Sequence, residues 1–123
     1  MLKKISDFKS NKTLNELSPG DKSINIMIII IELIEKMNVK NGKNLTKYLV
    51  ADPTGCISCV FFDDICDKIK EGDIIFINGG YATLFKKHLT LYTPQVGYGN
   101  VTKLGSYFME FETKPNFSDK EYN

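Results

Sequence analysis

Aromatic and basic side chains are concentrated in residues 81–92, which read Tyr-Ala-Thr-Leu-Phe-Lys-Lys-His-Leu-Thr-Leu-Tyr. Successive side chains of a β-strand point to opposite faces. Tyr81 and Phe85 therefore share one face, and Tyr92 joins them if Lys86 and Lys87 form a tight hairpin turn. The opposite face of this hairpin is aliphatic, with Ala82, Leu84, Leu89 and Leu91, and suits a core. Flat rings beside lysines can stack on other flat π-systems, and the bases of a single-stranded nucleic acid are one such partner.

The same aromatic face would also fit a purely structural role. Aromatic residues are frequent in strands for packing reasons alone. A second sheet or a helix could cover the rings, or the rings could form a protein interface. The hairpin alone leaves these alternatives open.

Composition limits how a nucleic acid could be held. A chain of 123 residues fits one domain, and 42% apolar with 25% charged residues is ordinary for a globular protein. The formal net charge is only +1. Local lysine patches and stacking, rather than bulk charge, would have to supply much of the affinity for a nucleic acid.

The cysteines do not indicate a metal site. There are three of them, Cys56, Cys59 and Cys66, and an odd number with no secretory signal predicts a reduced intracellular compartment. Cys56 and Cys59 have CxxC spacing, but on a strand they face opposite sides, no second CxxC follows, and His88 is the only histidine. We therefore predict no metal and no cofactor, and we assign Cys59 to the core.

Two further features are better explained by structure than by membrane insertion or catalysis. Residues 26–31 are all apolar and Glu32 follows them, so the run is far shorter than the roughly 20 residues that cross a bilayer. It predicts a buried strand, and we expect no membrane contact. Asp63 and Asp64 would point apart on a strand and are better helix caps than a catalytic pair. No nucleophile–base set is recognisable, so we predict that the protein is not an enzyme.

Strand signals separated by turn residues run through the chain. They cover residues 23–36, 45–52, 56–63, 73–85, 88–93 and, as a last strand or extended segment, 101–112. Residues 64–70 predict a short helix between the third and fourth strands. Gly79-Gly80 inside the fourth strand suggests a bend that curls the sheet.

This order of elements predicts an all-β fold, a five-stranded OB-fold barrel with a short helix between strands three and four. We expect residues 1–16 to form an N-terminal arm, 17–113 the OB domain, and 114–123 a polar, loosely held C-terminal tail. Either face of the third strand could be core, since Phe61 and Phe62 are both apolar. We assign Phe61 to the core on the alternation with Ile57 and Cys59, which places Phe62 on the outer face beside the aromatic residues of the hairpin.

Several short motifs occur in an order and spacing typical of one OB-fold family. They are Ser18-Pro19-Gly20, Val50-Ala51-Asp52 followed by Thr54-Gly55, Gly72-Asp73-Ile74-Ile75, Gly80-Tyr81-Ala82, Leu89-Thr90-Leu91-Tyr92-Thr93 and Pro115-Asn116-Phe117-Ser118. On these motifs, from about Leu17 to Asp119, the chain resembles the SOSS-B family, the eukaryotic single-stranded DNA-binding proteins of the SOSS complex, which have one OB domain.

The resemblance implies a set of site residues. Four aromatic positions that stack on bases in that family fall on Phe62, Tyr81, Phe85 and Tyr92. The family usually has tryptophan at the position of Phe62, and an arginine at the position of Gln95. We expect Gln95 to contact the nucleic acid too, as a hydrogen-bond donor that cannot neutralise a phosphate. Both departures predict weaker or less salt-sensitive binding. We expect Lys86, Lys87 and Lys47, with Lys40 or Lys43 as further candidates, to meet phosphates.

The resemblance also implies a cellular role. It predicts a nuclear protein of DNA-damage repair that binds single-stranded DNA and is held by a helical scaffold subunit of a SOSS- or Integrator-like complex. Phe117 and Pro115 are candidate contacts for that partner. Two alternatives remain, a single-stranded RNA-binding OB protein and an OB-fold subunit whose apolar surface binds protein.

Overall fold

A computed structural model describes residues 8–38, 44–94, 97, 99–106 and 109–122, without the side chains of residues 38 and 64. The strands are β1 (Ile24–Asn38), β2 (Asn44–Asp52), β3 (Gly55–Phe62), β4 (Ile74–Phe85), β5 (His88–Tyr92) and β6 (Asn100–Gly105). Short 3-10 helices cover Leu14–Glu16 and Asp63–Asp67. The predicted all-β fold is confirmed. In the described part of the chain no helix is long and apolar enough to span a membrane.

Hydrogen bonding links the strands in a ring. The sheet order is β1-β2-β3-β5-β4-β6, and β1 also pairs with β4, so the first five strands close on themselves. Among the pairings of the six described strands, β3–β5 is parallel and the others are antiparallel. The sixth strand, β6, corresponds to the start of the last strand or extended segment expected over residues 101–112, and it pairs with β4 outside the ring, in addition to the predicted five-stranded set. The fold is therefore a six-stranded sheet with a closed circuit of five.

Strand β1 takes part in two pairings because it is long and bends. Its first part, from Ile24 to Ile29, pairs with β4, and the remainder pairs with β2 through two register shifts. Bulges of this kind increase local twist and let one strand serve two directions. The strand predicted over residues 23–36 is confirmed, with observed bounds Ile24–Asn38.

The core lies inside this ring and follows the predicted alternation. Ile57, Cys59 and Phe61 of β3 are fully buried, and so are alternate isoleucines of β1. Their branched side chains suit a pleated surface that is covered on one side. Leu84 differs from expectation. It belongs to the aliphatic face of the hairpin, but it is 39% exposed, whereas Leu89, directly opposite it in the register, is buried in the core.

The predicted helix between β3 and β4 is wrong. Residues Asp63–Asp67 form a single 3-10 turn whose N-cap is Phe62, without a side-chain capping bond. Asp63 has a φ of 55°, a left-handed conformation that is incompatible with the start of an α-helix. Ile69 is then buried against the core within a few residues, so the chain has no length left for further helical turns.

Both ends of the described chain pack against the strands. Leu14, in the predicted arm, is fully buried, and its N–H donates to the Asp52 carboxylate at 2.8 Å. In the predicted tail, the Phe117 N–H donates to the Cys56 carbonyl at 2.8 Å and the Cys56 N–H donates to the Pro115 carbonyl at 3.0 Å. The tail is therefore paired with the start of β3, which differs from the expectation that it is loosely held.

Candidate nucleic-acid interface

The centre of the outer face is a pair of tyrosines on neighbouring strands. Tyr81 of β4 lies directly opposite Tyr92 of β5 in the antiparallel register. Their ring centroids are 5.1 Å apart and the ring planes differ by only 4°. Antiparallel pairing fixes the distance between opposite residues, so the backbone holds the two rings in stacking contact.

Phe62 extends the pair across a third strand. Its ring centroid lies 6.4 Å from that of Tyr92, with an interplanar angle of 23°. The parallel register places Val60 beside Tyr92, so Phe62, two residues along β3, remains on the same outer face. We call Phe62, Tyr92 and Tyr81 the aromatic row. These three side chains lie together on the outer face, as the alternation in the sequence predicts.

The aromatic row is half-buried and uncharged. Burial raises the pKa of the Tyr81 hydroxyl, and burial together with the neighbouring Tyr81 raises the pKa of the Tyr92 hydroxyl. Both phenols therefore remain neutral well above physiological pH. A neutral, flat surface of this kind can receive a base without repelling the phosphates attached to it.

Phe85 is separate from the aromatic row and carries cations. It lies at the end of β4 and is 38% exposed. The Lys47 ammonium from β2 lies 4.5 Å from its ring centroid, and the Lys86 ammonium lies 5.4 Å away. Both distances are within the range of cation–π attraction. Phe85 and Lys47 come together although β2 and β4 are not neighbours in the sheet.

The turn at the hairpin tip has an unusual composition. Lys86 and Lys87 both have positive φ, 51° and 73°, which is the backbone of a two-residue type I′ turn. The predicted tight turn is confirmed. Positive φ is uncommon for lysine, so the turn accepts strain while displaying two ammonium groups. The Lys87 ammonium lies 3.7 Å from the Glu121 carboxylate, and both side chains are exposed.

Of the remaining predicted residues, the structure describes Pro115 and Phe117, and these two lie away from this face. Gln95 lies outside the described residues, as do Lys40 and Lys43. Phe117 packs against the core, and a Cβ added at Gly55 would lie 2.6 Å from its ring. Gly55 begins β3 and Phe62 ends it, so Phe117 and Pro115 lie at the opposite end of the strand from the aromatic row. Their role in partner binding stays a prediction.

The tail forms contacts that the sequence did not reveal. Ser118 Oγ accepts the Ser58 N–H at 2.9 Å, and the His88 Nδ1–H donates to the Ser118 carbonyl at 2.7 Å. The Tyr122 N–H donates to the Lys87 carbonyl at 2.7 Å. The tail therefore joins β3 to the base of the hairpin turn. No local pattern signals such long-range pairing.

A groove beside β4 was also not predicted. It has a volume of about 550 Å³ and is lined by residues 20–23, residues 79–83 and Pro94. Its wall is fixed by backbone pairing, because the Gly20 N–H donates to the Ala82 carbonyl at 2.8 Å and the Ala82 N–H donates to the Asp21 carbonyl at 2.9 Å. We call this the edge groove. The Ser18-Pro19-Gly20 turn was visible in the sequence, but its position against β4 was not.

Cysteine and acidic side chains do not form a metal centre in the described part of the chain, where no group of three or more potential ligands converges. The Cys56 and Cys59 side chains are buried in separate clusters on the two faces of β3. Burial raises the pKa of both thiols, so neither is poised as a thiolate ligand or nucleophile.

Among proteins of known sequence, the chain is similar to a single-stranded DNA-binding protein. No protein-family model matches the chain. Over 94 residues it is 27% identical to the single-stranded DNA binding protein Ssb of Saccharolobus solfataricus. The match covers 74% of this chain, which spans only 60% of the relative's length.

Solved structures give the fold. A hypothetical protein from Arabidopsis thaliana matches with a TM-score of 0.75 and 19% identity, over 91% of this chain and 85% of that one. A domain of replication protein A from Methanococcus maripaludis matches with a TM-score of 0.63 and 20% identity, over 77% of this chain and 96% of that one. The second OB-fold domain of replication protein A from the same organism matches with a TM-score of 0.59 and 21% identity, over 80% of this chain and 98% of that one. The chain therefore shares the OB fold.

Proposed function

We propose that this chain is a five-stranded OB-fold barrel with an added edge strand that binds single-stranded DNA with little regard to sequence and without catalysis. The observation that carries the proposal is the aromatic row, in which rings from β3, β5 and β4 stack on one exposed face. Any base has a π-face, so such a surface accepts any sequence. The 27% identity to an archaeal single-stranded DNA-binding protein supports the same proposal.

The energetics fit a binding protein that relies on stacking. Base–aromatic stacking contributes about 1–3 kcal/mol per base by alanine substitution. The aromatic row and Phe85 could together supply roughly 4–12 kcal/mol if they were additive, which neighbouring sites rarely are. Ordering a flexible strand offsets part of this. We expect a Kd between about micromolar and tens of nanomolar.

Lysines next to the rings would meet the phosphates. Lys47 and Lys86 already lie against Phe85, and Lys87 completes the turn. With a net charge of +1, the protein as a whole attracts a polyanion weakly. The salt dependence should therefore be shallow, with a slope corresponding to only a few phosphate contacts.

A finer proposal concerns the cellular role. By its resemblance to the SOSS-B family, we propose that the protein acts in DNA-damage repair in the nucleus, bound to a helical scaffold subunit. The motifs from Gly80 to Thr93 and from Pro115 to Ser118 support this proposal. Copurification from the native source, with Phe117→Ala to locate the contact, tests it separately from DNA binding.

The test of binding is a fluorescence-anisotropy titration with a labelled oligothymidine of about 30 nucleotides, longer than the ~4–16 that one OB fold covers. Duplex DNA and oligouridine serve as competitors. Binding that duplex does not displace supports the proposal, and effective competition by oligouridine would favour RNA. An absence of binding at low salt would overturn the proposal and leave a protein-docking surface.

The chain offers a matched control for the stacking mechanism. Phe85 and Phe111 are almost equally exposed, at 38% and 39%. Phe111 lies between Glu110 and Glu112, which disfavour a polyanion. Phe85→Ala should weaken binding by ~1–3 kcal/mol, and Phe111→Ala should leave it unchanged. Equal effects of the two substitutions would contradict stacking on the hairpin.

A further inference from the structure

The edge groove continues the aromatic row beyond β4. Tyr81 and Thr83 of β4 share one face, because strand side chains alternate, and both line the groove; Gly79, at the register shift between Asn78 and Gly80, lines it as well. Tyr81 thus belongs both to the aromatic row and to the groove. Since Tyr92 covers one face of the Tyr81 ring, the groove is bounded by the remaining surface of that ring.

The groove has the size and wall of a ligand site. Its volume of about 550 Å³ lies within the roughly 300–1,000 Å³ of small-molecule and cofactor pockets. The segment 20–23 forms its far wall and is fixed by the two backbone hydrogen bonds to Ala82. A flexible single strand can turn into such a groove, whereas a stiff duplex cannot.

The charges of the groove suit a phosphate. Lys22 is exposed in its lining, and none of the described carboxylates lies within ion-pair distance of the Lys22 ammonium. Asp21 is the acidic residue of the lining, but its carboxylate is paired with the Lys12 ammonium at 2.8 Å and accepts the Ser18 N–H at 2.9 Å. The acidic charge is thereby compensated and the Lys22 charge is available.

We propose that the edge groove binds the nucleotide next to the one stacked on Tyr81, with Lys22 contacting its phosphate. This inference rests on the proposed single-strand binding and adds a site to it. The bound strand then runs from Lys47 on β2, along the aromatic row, and past the edge of β4 into the groove. The length of DNA that is protected exceeds what the aromatic row alone would cover.

The first test is Lys22→Gln, which removes one charge from an exposed position. One phosphate contact contributes about 0.7 to the salt slope of single-strand binding. At 0.1 M salt this corresponds to an affinity loss of about fivefold relative to a 1 M reference. Lys68→Gln removes the same charge from an exposed lysine that follows the Asp63–Asp67 turn, and it should change neither quantity.

Length dependence separates a groove contact from a general charge effect. With oligothymidines of increasing length, the Lys22→Gln penalty should be absent for the shortest oligomers that bind and should appear once the strand reaches the groove. A photoreactive benzoylphenylalanine at position 22 should crosslink to oligothymidine, and the same group at position 68 should not.

The outcomes are distinguishable. If Tyr81→Ala weakens binding but Lys22→Gln leaves affinity and salt slope unchanged, the groove inference is overturned and the proposed function stands. A Lys22→Gln penalty of equal size at every length would also overturn it, because the lysine would then act only through long-range charge. If the unmodified protein does not bind oligothymidine, both proposals fail.

Discussion

The two lysines at the turn of the β4–β5 hairpin should lower the free energy of unfolding but strengthen binding to a nucleic acid. Lys86 and Lys87 have φ values of 51° and 73°. The left-handed conformation costs an L-residue roughly 1–2 kcal/mol, and type I′ turns prefer an asparagine followed by a glycine for this reason. The double substitution Lys86→Asn with Lys87→Gly should therefore relieve about 2–4 kcal/mol of strain.

Several losses reduce this gain. The exposed Lys87–Glu121 pair at 3.7 Å contributes at most about 1 kcal/mol, and the Lys86 contact with the Phe85 ring about 0.5–1 kcal/mol. Glycine also adds freedom to the unfolded chain, at about 0.4–1 kcal/mol. We expect a net stabilisation of about 1 kcal/mol, which corresponds to an increase in Tm of about 4 °C for a domain of this size.

Binding should change in the opposite direction. If each lysine contacts a phosphate, the double variant loses about 1.4 from the salt slope and about 25-fold in affinity at 0.1 M salt. Urea unfolding and anisotropy titrations on the same preparation measure both effects. Lys68→Gln with Lys70→Gln is the matched control, since these lysines are exposed and lie outside the hairpin.

Two results would contradict this account of the Lys86-Lys87 turn, one concerning its strain and the other its phosphate contacts. A decrease in stability would show that the turn is not strained by its lysines. Increased stability with unchanged affinity and salt slope would show that the turn lysines are merely solvated. If the double variant is more stable and also binds more weakly with a lower salt dependence, then the two lysines strain the turn and also contact phosphates.

Further predictions concern the aromatic row, a buried carboxylate and the tail. Because Tyr81 and Tyr92 support each other at 5.1 Å, their alanine variants should be sub-additive in binding, with a coupling of about 0.5–1.5 kcal/mol in a double-mutant cycle; additive losses would show independent platforms. Asp73 is fully buried and paired with a lysine at 3.2 Å, and its hydrogen bonds hold its pKa below the usual value against the opposing effect of burial. A depressed pKa means that its stabilisation is present above about pH 4 and is lost as the pH falls through the folded-state value. Asp73→Asn should therefore lower the free energy of unfolding in urea by about 1–3 kcal/mol at pH 7 and by less at pH 3; an equal loss at both pH values would contradict this. Gly55→Ala should displace the tail, since the new Cβ would lie 2.6 Å from both the Phe117 ring and the Pro115 carbonyl oxygen; amide exchange should become faster in residues 115–122, and unchanged exchange there would contradict this prediction.

The strands could be predicted because their signals are local. The β-branched run of β1, the turn residues before β3 and the alternation of Ile57, Cys59 and Phe61 each act over a few residues, and the structure follows them closely. The outward direction of Phe62 followed from the same alternation. Period-two patterns determine the face of a side chain wherever one face is covered.

The remaining features depend on contacts between distant segments. Leu84 continues the aliphatic pattern, but the pattern does not tell which of its members the core covers: Leu84 is 39% exposed, whereas Leu89 opposite it is buried. The 63–67 turn has helix-forming signals that a positive φ at Asp63 overrides. The pairing of residues 20 and 21 with Ala82, which forms the edge groove, joins segments about sixty residues apart in sequence, and no local rule describes it.

The two parts of the candidate interface differ in how they are prepared for a ligand. The rings of the aromatic row already stack on each other, held by backbone registers in β3, β4 and β5, so a base meets a surface whose rotamers cost little further entropy to order. Phe85 is 38% exposed and carries the ammonium groups of Lys47 and Lys86 near its ring, and we expect a base that stacks on the ring to displace at least one of them. The displaced ammonium then lies beside the phosphate of the arriving nucleotide, so that stacking on Phe85 and phosphate contact occur in one step. The aromatic row should therefore determine affinity at high salt, whereas Phe85 and its lysines should add binding that depends on salt.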